Sequence, residues 1–354
     1  MVVCIVLDDY VKSVVSEVNA EILKFFPRRF SKKWCESSLG NIEFEFDSEA
    51  SQSALFDPIW DFLDRGGKRW RPALALLACE AVGGKRSDAI PYCIIPEFVH
   101  NGTIMVDDVE DNSVLRRGKP STHILYGVDV AVNAGNAMYY IPLVLLFGSG
   151  LSDKKKLEIY NLYAKYMLRL SFGQAWDIYW HRGNGVVSEK KYLQMCVFKT
   201  GSLAAFSAGL GGILGNGSKK QVAALIQFAE SIGVAFQIQD DILNIKPENL
   251  EWGKEIGDDI KEGKRTLMVV HALSVLPKSE RARLLKIINL KEKSESDVDH
   301  AIKLLEKSGS IDYARDYARR IVANSWNSLD RILPDSKAKF LLKDFADYLV
   351  KRNI

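Results

Sequence analysis

Two short acidic runs hold the residues most able to do chemistry in this chain. The first, Asp107-Asp108-Val109-Glu110-Asp111, ends the apolar stretch that begins at Phe98. On a helix, Asp107 and Asp111 lie four residues apart and share a face. Carboxylates placed this way repel one another unless a cation sits between them. Hard oxygen ligands with room left for water and phosphate oxygens suit Mg²⁺. The second run, Phe236-Gln237-Ile238-Gln239-Asp240-Asp241-Ile242-Leu243-Asn244, repeats the plan of an apolar helix followed by an acidic pair. Two such helices facing each other would hold metal ions at the mouth of an apolar cavity, and a diphosphate is the anion that would close the metal shell.

Basic residues recur beside glycines. Lys68 and Arg71 lie in GGKRWRP, Arg116 and Arg117 in RRGKP, and Lys199 precedes Thr200-Gly201. Lys254 follows Gly253, and Lys264 follows Gly263 shortly after Asp258-Asp259. Any one of these reads most simply as a surface charge, and His100 alone reads as a satisfied core histidine. It is their occurrence beside two Asp-Asp helices that makes them grips for phosphate. A helix start just after a glycine pair adds free amides and the helix dipole to the side-chain charge.

The elements that must position these groups read as helices. The chain has 354 residues, 47% of them hydrophobic and 26% charged, enough to bury a sizeable core. Apolar residues recur at helical spacing with short Gly, Asn, Ser and Pro interruptions, which predicts one large all-α domain. Residues 1–50 read as a leading helix with an irregular charged appendage, and residues 51–354 as the catalytic domain. Ser152 and Ser188 are expected helix starts. A net charge of +3 gives no footprint for nucleic acid. The five cysteines show no metal-ligand spacing and suit a reducing compartment, so a cytoplasmic location is expected. The stretch from Ala137 to Leu151 is read as falling short of the ~20 apolar residues of a membrane span, and as a buried helix at the centre of a bundle.

The blocks GGKRWRP, DDVEDNSVLRRGKPSTH, FGQAWD, FKTG, FQIQDD and GKEIGDDIKEGKRTL, in this order from about Phe56 to Leu273, resemble the motif set of the trans-isoprenyl diphosphate synthases. The resemblance implies the all-α isoprenoid synthase fold, a bundle around a central apolar cavity, and a homodimer. It implies an enzyme joining isopentenyl diphosphate to allylic diphosphates (dimethylallyl, geranyl or farnesyl) with three Mg²⁺ ions. By the same resemblance Asp107, Asp111 and Asp240 anchor metal, with Asp108, Asp241 and Asp177 nearby. Isopentenyl diphosphate falls to Lys68, Arg71, His100 and Arg117. The allylic diphosphate falls to Arg116, Lys199, Thr200, Gln237, Lys254 and Lys264, of which Lys199 and Lys254 join the three metal-anchoring aspartates as catalytic. The second acidic motif of the family often ends in Asp, whereas Asn244 stands here.

Product length is expected to depend on the cavity floor below Asp107. Gly102 lies five residues before it, where a bulky aromatic would block growth, so an open channel past Gly102, Thr103 and Val99 is expected. That reading gives a geranylgeranyl or longer product. A class I terpene cyclase and a non-catalytic subunit of a heteromeric synthase are the alternatives. The cyclase has no need of a second diphosphate site such as Lys68, Arg71 and Arg117, and an inert subunit would be expected to show damaged acidic motifs.

Overall fold

A computed structural model describes residues 2–246 and 256–351. It is all-helical apart from one two-stranded hairpin, Leu115–Arg116 with Lys119–Pro120. Numbering helices of eight residues or more, the first eight are α1 (Val2–Phe25), α2 (Lys32–Leu39), α3 (Asp57–Asp64), α4 (Trp70–Ala81), α5 (Ile94–Glu110), α6 (Val128–Tyr140), α7 (Asp153–His181) and α8 (Glu189–Lys199). They are followed by α9 (Gly201–Leu214), α10 (Lys219–Ile245), α11 (Leu267–Val275), α12 (Lys278–Asn289), α13 (Glu295–Lys307), α14 (Ser310–Asp330) and α15 (Lys337–Lys351).

The bundle is built around α9, whose residues are buried on every side except at Ile213. A helix apolar all round belongs in a core, and its small residues let α4, α7 and α10 pack closely around it. The expected starts hold: the Ser152 hydroxyl accepts from the Lys155 amide and the Ser188 hydroxyl from the Lys191 amide. Each such cap is worth about 1 kcal/mol.

The stretch read as a short central helix proves different. Helix α6 runs on through a 3₁₀ turn, Ile141–Leu143, into Val144–Phe147. Pro142 falls in the first turn of that 3₁₀ piece, where its missing amide hydrogen costs nothing. The resulting span Val128–Phe147 has 20 residues and, by length and composition, could cross a membrane, but only 33% of it is buried. The same test admits α10, which carries the second acidic pair. The central position therefore belongs to α9, while α6 lies on the outside with Tyr140 exposed.

Helix α1 joins the same core as the rest. Val14, Val18 and Ile22 repeat every four residues and are buried, and Phe26 beyond the helix stacks on Phe56 with ring centroids 4.6 Å apart.

Candidate active site

The first acidic run occupies the last turn of α5, and Asp111 caps it. Asp107 accepts a hydrogen bond from Gln174 on α7 (2.8 Å), and the same amide reaches Glu110 (2.7 Å). Lys199, at the end of α8, lies 2.7 Å from Asp177 and 3.6 Å from Asp107. Burial works to raise the Asp107 carboxyl, but Lys199 and Lys264 prevail and hold it low. Among the described residues no cation lies so close to Asp111, and burial and the charge of Asp107 push it up to about 7. Among the described residues, no three His, Cys, Asp or Glu side chains converge closely enough to hold a metal ion by themselves. Carboxylates spread along a rim suit Mg²⁺ that draws its remaining oxygens from phosphate and water.

Asp108 and Asp241, set by the sequence reading close to the metal anchors, are both buried. Asp108 is 0% exposed and is paired with the Arg116 guanidinium through Nε at 2.8 Å and also through Nη2. Asp241 is 3% exposed and accepts from the Tyr192 hydroxyl (2.7 Å) and the Gln237 amide (2.9 Å). Both Asp241 oxygens and Asp108 Oδ1 are so engaged, while Asp108 Oδ2 is buried without a hydrogen-bond partner. Gln237 in turn accepts from the Thr200 hydroxyl (2.6 Å), tying α10 to the junction of α8 and α9. Asp240 is half-buried, and its charge reaches the buried Arg71. Arg71, within the field of Asp240, lines the same cavity as Asp107.

The basic side is built by strained loops. In the hairpin after α5, Leu115 pairs with Pro120 and Arg116 with Lys119. The two linking residues, Arg117 and Gly118, both have positive φ (52° and 74°), as a two-residue type I′ connection requires. This presents two consecutive arginines toward α5. Arg117 donates to the Gly66 carbonyl and to Asn101 Oδ1 (3.2 Å). Arg69, also left-handed (φ 48°), pairs with Glu97 at 2.6 Å with both side chains 3% exposed. Asn101 closes the chain by donating to Glu97, and Asn19 of α1 accepts from Arg69 Nε (3.2 Å). Arg69, Glu97 and Asn101 escaped the sequence reading. Their one visible signal was the position of Arg69 inside GGKRWRP.

Arg71 is buried over the Trp70 ring (4.2 Å to its centroid), and its Nε has no hydrogen-bond partner. Burial pulls its guanidinium down to about 10, against the pull of Glu97 and Asp240. His100 is held well below the ordinary histidine range by burial and then by Arg71, Arg117, Arg69 and Arg116. Arg69 and Arg116 are already paired with carboxylates, so the call for an anion comes from Arg71, with its unsatisfied buried N–H, and from Arg117 beside His100. Lys68 is exposed on the loop leading to Arg71. Lys264 sits across the cleft, paired with Asp259 (3.2 Å) and Glu262 (2.5 Å) and within the fields of Asp177 and Asp111. Lys254 lies outside the described residues.

Asn244, the departure from the family motif, is buried away from the rim. Its side-chain oxygen accepts from the Asp259 amide (3.1 Å) and its carbonyl from Gly257 (2.8 Å), so it anchors the turn that carries Lys264. The cavity has a volume of about 430 Å³ and runs from Asp107, Arg71 and Lys199 down to Thr103, Ile104, Tyr139 and Leu170. Of the three expected floor residues, Thr103 lines it. Val99 is in the core, and Gly102 is pressed against α6, where a Cβ would meet the Gly135 carbonyl oxygen at 2.6 Å. The expectation of an open channel past Gly102 is therefore corrected.

Comparison with known proteins places this arrangement. The sequence profile of the polyprenyl synthetase family matches residues 52–305. A short chain isoprenyl diphosphate synthase of Methanothermobacter thermautotrophicus is 35% identical over 86% of this chain and 92% of its own. A geranylfarnesyl diphosphate synthase of Natronomonas pharaonis is 33% identical over 82% and 88%. The crystal structure of geranylgeranyl pyrophosphate synthetase from Pyrococcus horikoshii superposes with a TM-score of 0.85 at 31% identity, covering 98% of this chain and 99% of that one. With the family profile matched over residues 52–305 and relatives more than 30% identical over most of the chain, the chain belongs to the polyprenyl synthetase family.

Proposed function

We propose that this chain condenses isopentenyl diphosphate with an allylic diphosphate, releasing diphosphate and leaving a linear all-trans prenyl diphosphate of geranylgeranyl length or longer. The observation that carries this reading is the pair of anion grips on one cleft. Arg71, His100 and Arg117, with Lys68 at the mouth, would hold isopentenyl diphosphate. Arg116, Lys199, Thr200, Gln237 and Lys264 would hold the allylic diphosphate, together with Lys254. A cyclase needs only one of these grips.

Asp107, Asp111 and Asp240 fit Mg²⁺, three ions by family analogy, which when bound would neutralise charge building on the leaving diphosphate. Lys199 and Lys264 add fixed positive charge at the same oxygens. The C–O bond of the allylic ester breaks, the double bond of isopentenyl diphosphate attacks the allylic carbon, and a proton leaves to the departing diphosphate. The apolar walls of the cavity, sealed on their open side by a second copy of the chain, would keep water from the cation.

A homodimer belongs to the same proposal, supported by exposed apolar side chains on α6 and α7. The test is incubation of the full chain with radiolabelled isopentenyl diphosphate, Mg²⁺ and, in turn, dimethylallyl, geranyl and farnesyl diphosphate, followed by sizing of the dephosphorylated products. Elongated linear alcohols are expected. Cyclic hydrocarbons, or no turnover with any primer, would overturn the reading.

A further inference from the structure

Asn101 sits one turn after Glu97 on α5, and both residues are buried. Its side-chain nitrogen is held twice by Glu97, donating to the backbone carbonyl and to carboxylate Oε1, each at 2.7 Å. Both partners are acceptors, so the nitrogen must face Glu97 and the amide oxygen must face elsewhere. That oxygen accepts from Arg117 Nη1 (3.2 Å).

Glu97 can hold the amide because its own place is fixed. Its Oε1 accepts from Arg69 Nη1 at 2.6 Å, and Arg69 is tied in turn to Asn19 of α1 and to the Leu63 carbonyl, each at 3.2 Å. The Glu97 charge also lets two guanidiniums share one corner. A Cβ on Gly67 would stand 3.4 Å from both Arg69 Nη1 and Arg117 Nη2. Arg69 is matched by Glu97, which leaves the charge of Arg117 for a ligand.

The hydrogen bonds of Arg117 fall on one nitrogen. Nη1 donates to the Gly66 carbonyl and to Asn101, and the guanidinium lies over the Phe62 ring, 5.3 Å from its centroid. Among the described residues no hydrogen bond engages Nε or Nη2, the edge whose parallel N–H groups match two phosphate oxygens.

We propose that Asn101 is a positioning residue for isopentenyl diphosphate: by holding Arg117 Nη1 it aims the open Nε and Nη2 edge at the diphosphate. The inference rests on the chain-elongating reading above. Asn101 touches no substrate and acts through Arg117.

The test is steady-state elongation by the full chain with Mg²⁺, labelled isopentenyl diphosphate and whichever of dimethylallyl, geranyl or farnesyl diphosphate the wild type elongates. Each substrate is varied in turn for the wild type, Asn101→Leu, Arg117→Ala and the double variant, with folding checked by circular dichroism. Asn101→Leu keeps the side chain's size and removes its hydrogen bonds. Loss of a hydrogen bond to a charged group corresponds to about 10–100-fold in affinity, and KM for isopentenyl diphosphate should rise by that factor. KM for the allylic substrate and kcat should stay unchanged. In the double variant, KM for isopentenyl diphosphate should equal that of Arg117→Ala, because the group through which Asn101 acts is already gone. If Asn101→Leu does not fold, Asn101→Ala carries the same expectation. A wild type that elongates, with the Asn101 variant leaving KM for isopentenyl diphosphate unchanged, overturns the role of Asn101. So does an equal rise in both KM values, the mark of general packing, and so do effects that multiply in the double variant. A wild type that elongates none of the three primers overturns the functional reading beneath it.

Discussion

At the scale of single residues, the two members of the first Asp pair differ in kind. Asp107 faces the cleft beside Lys199, whereas Asp108 is sealed behind it and holds Arg116. Asp107→Ala removes charge from the proposed metal site and should lower kcat by roughly 10²–10³-fold, the range seen when one transition-state electrostatic group is lost. Asp108→Asn keeps the shape but weakens the hold on Arg116. It should cost about 10–100-fold, chiefly in KM for the allylic substrate, as is usual for a supporting group. Steady-state kinetics with each substrate varied separates the two. Equal losses in kcat would place Asp108 at the metal after all.

Asp111 gives a dependence on pH. Its folded carboxyl is pushed up to about 7 by burial and by Asp107, while an unfolded aspartate sits near 3.9. Between those values the folded state binds more protons than the unfolded one, so this group makes metal-free stability fall as pH rises from about 4 to 7. Mg²⁺ with inorganic diphosphate supplies the missing positive charge and needs the carboxylate ionised. The rise in Tm on adding Mg²⁺ and diphosphate should therefore be larger at pH 8 than at pH 6. An equal rise at both pH values would show that Asp111 is not part of the cation site.

At the scale of elements, the legible and illegible parts of the sequence separate cleanly. The acidic helix ends, the glycine-flanked cations and the serine caps are local patterns that spacing alone can flag. What escaped were groups whose meaning depends on a distant partner. Glu97 reads as one more helix residue until Arg69 arrives in a left-handed loop to pair with it. Asn244 reads as one negative charge fewer in the second acidic motif until the turn at Gly257 and Asp259 is folded back onto it. Gly102 reads as an open channel because the sequence does not reveal that Gly135 lies opposite. That contact carries its own prediction. Gly102→Ala forces a methyl against backbone atoms that have nowhere to go, and overpacking of this kind costs about 1–3 kcal/mol. Chemical denaturation should show the loss. Unchanged stability would mean that α5 and α6 are not in backbone contact. Gly102→Phe, the change the sequence alone suggests for shortening the product, would disturb this packing before it altered the cavity.

At the scale of the whole molecule, one face remains unexplained by a single chain. Along α7, Leu157, Leu168, Phe172 and Tyr179 are exposed at spacings of eleven, four and seven, which puts them on one helical stripe. Tyr140 and Phe147, at the end of the Val128–Phe147 span, are also exposed. The catalytic cavity opens in the same direction, since its lining includes the exposed Asn136, Ser171 and Ala175. An allylic cation would not survive in a cavity wet on one side. A second copy packed on this face would bury the apolar stripe and seal the wall in one step, the self-complementary arrangement most common among oligomers. Phe172→Lys places a charge on the stripe without touching the acidic or basic groups. It should convert a dimer to a monomer in sedimentation velocity and lower elongation activity at least tenfold, with helicity retained. A wild-type chain that sediments as a monomer while elongating at full rate would show that α6 and α7 close the cavity by themselves.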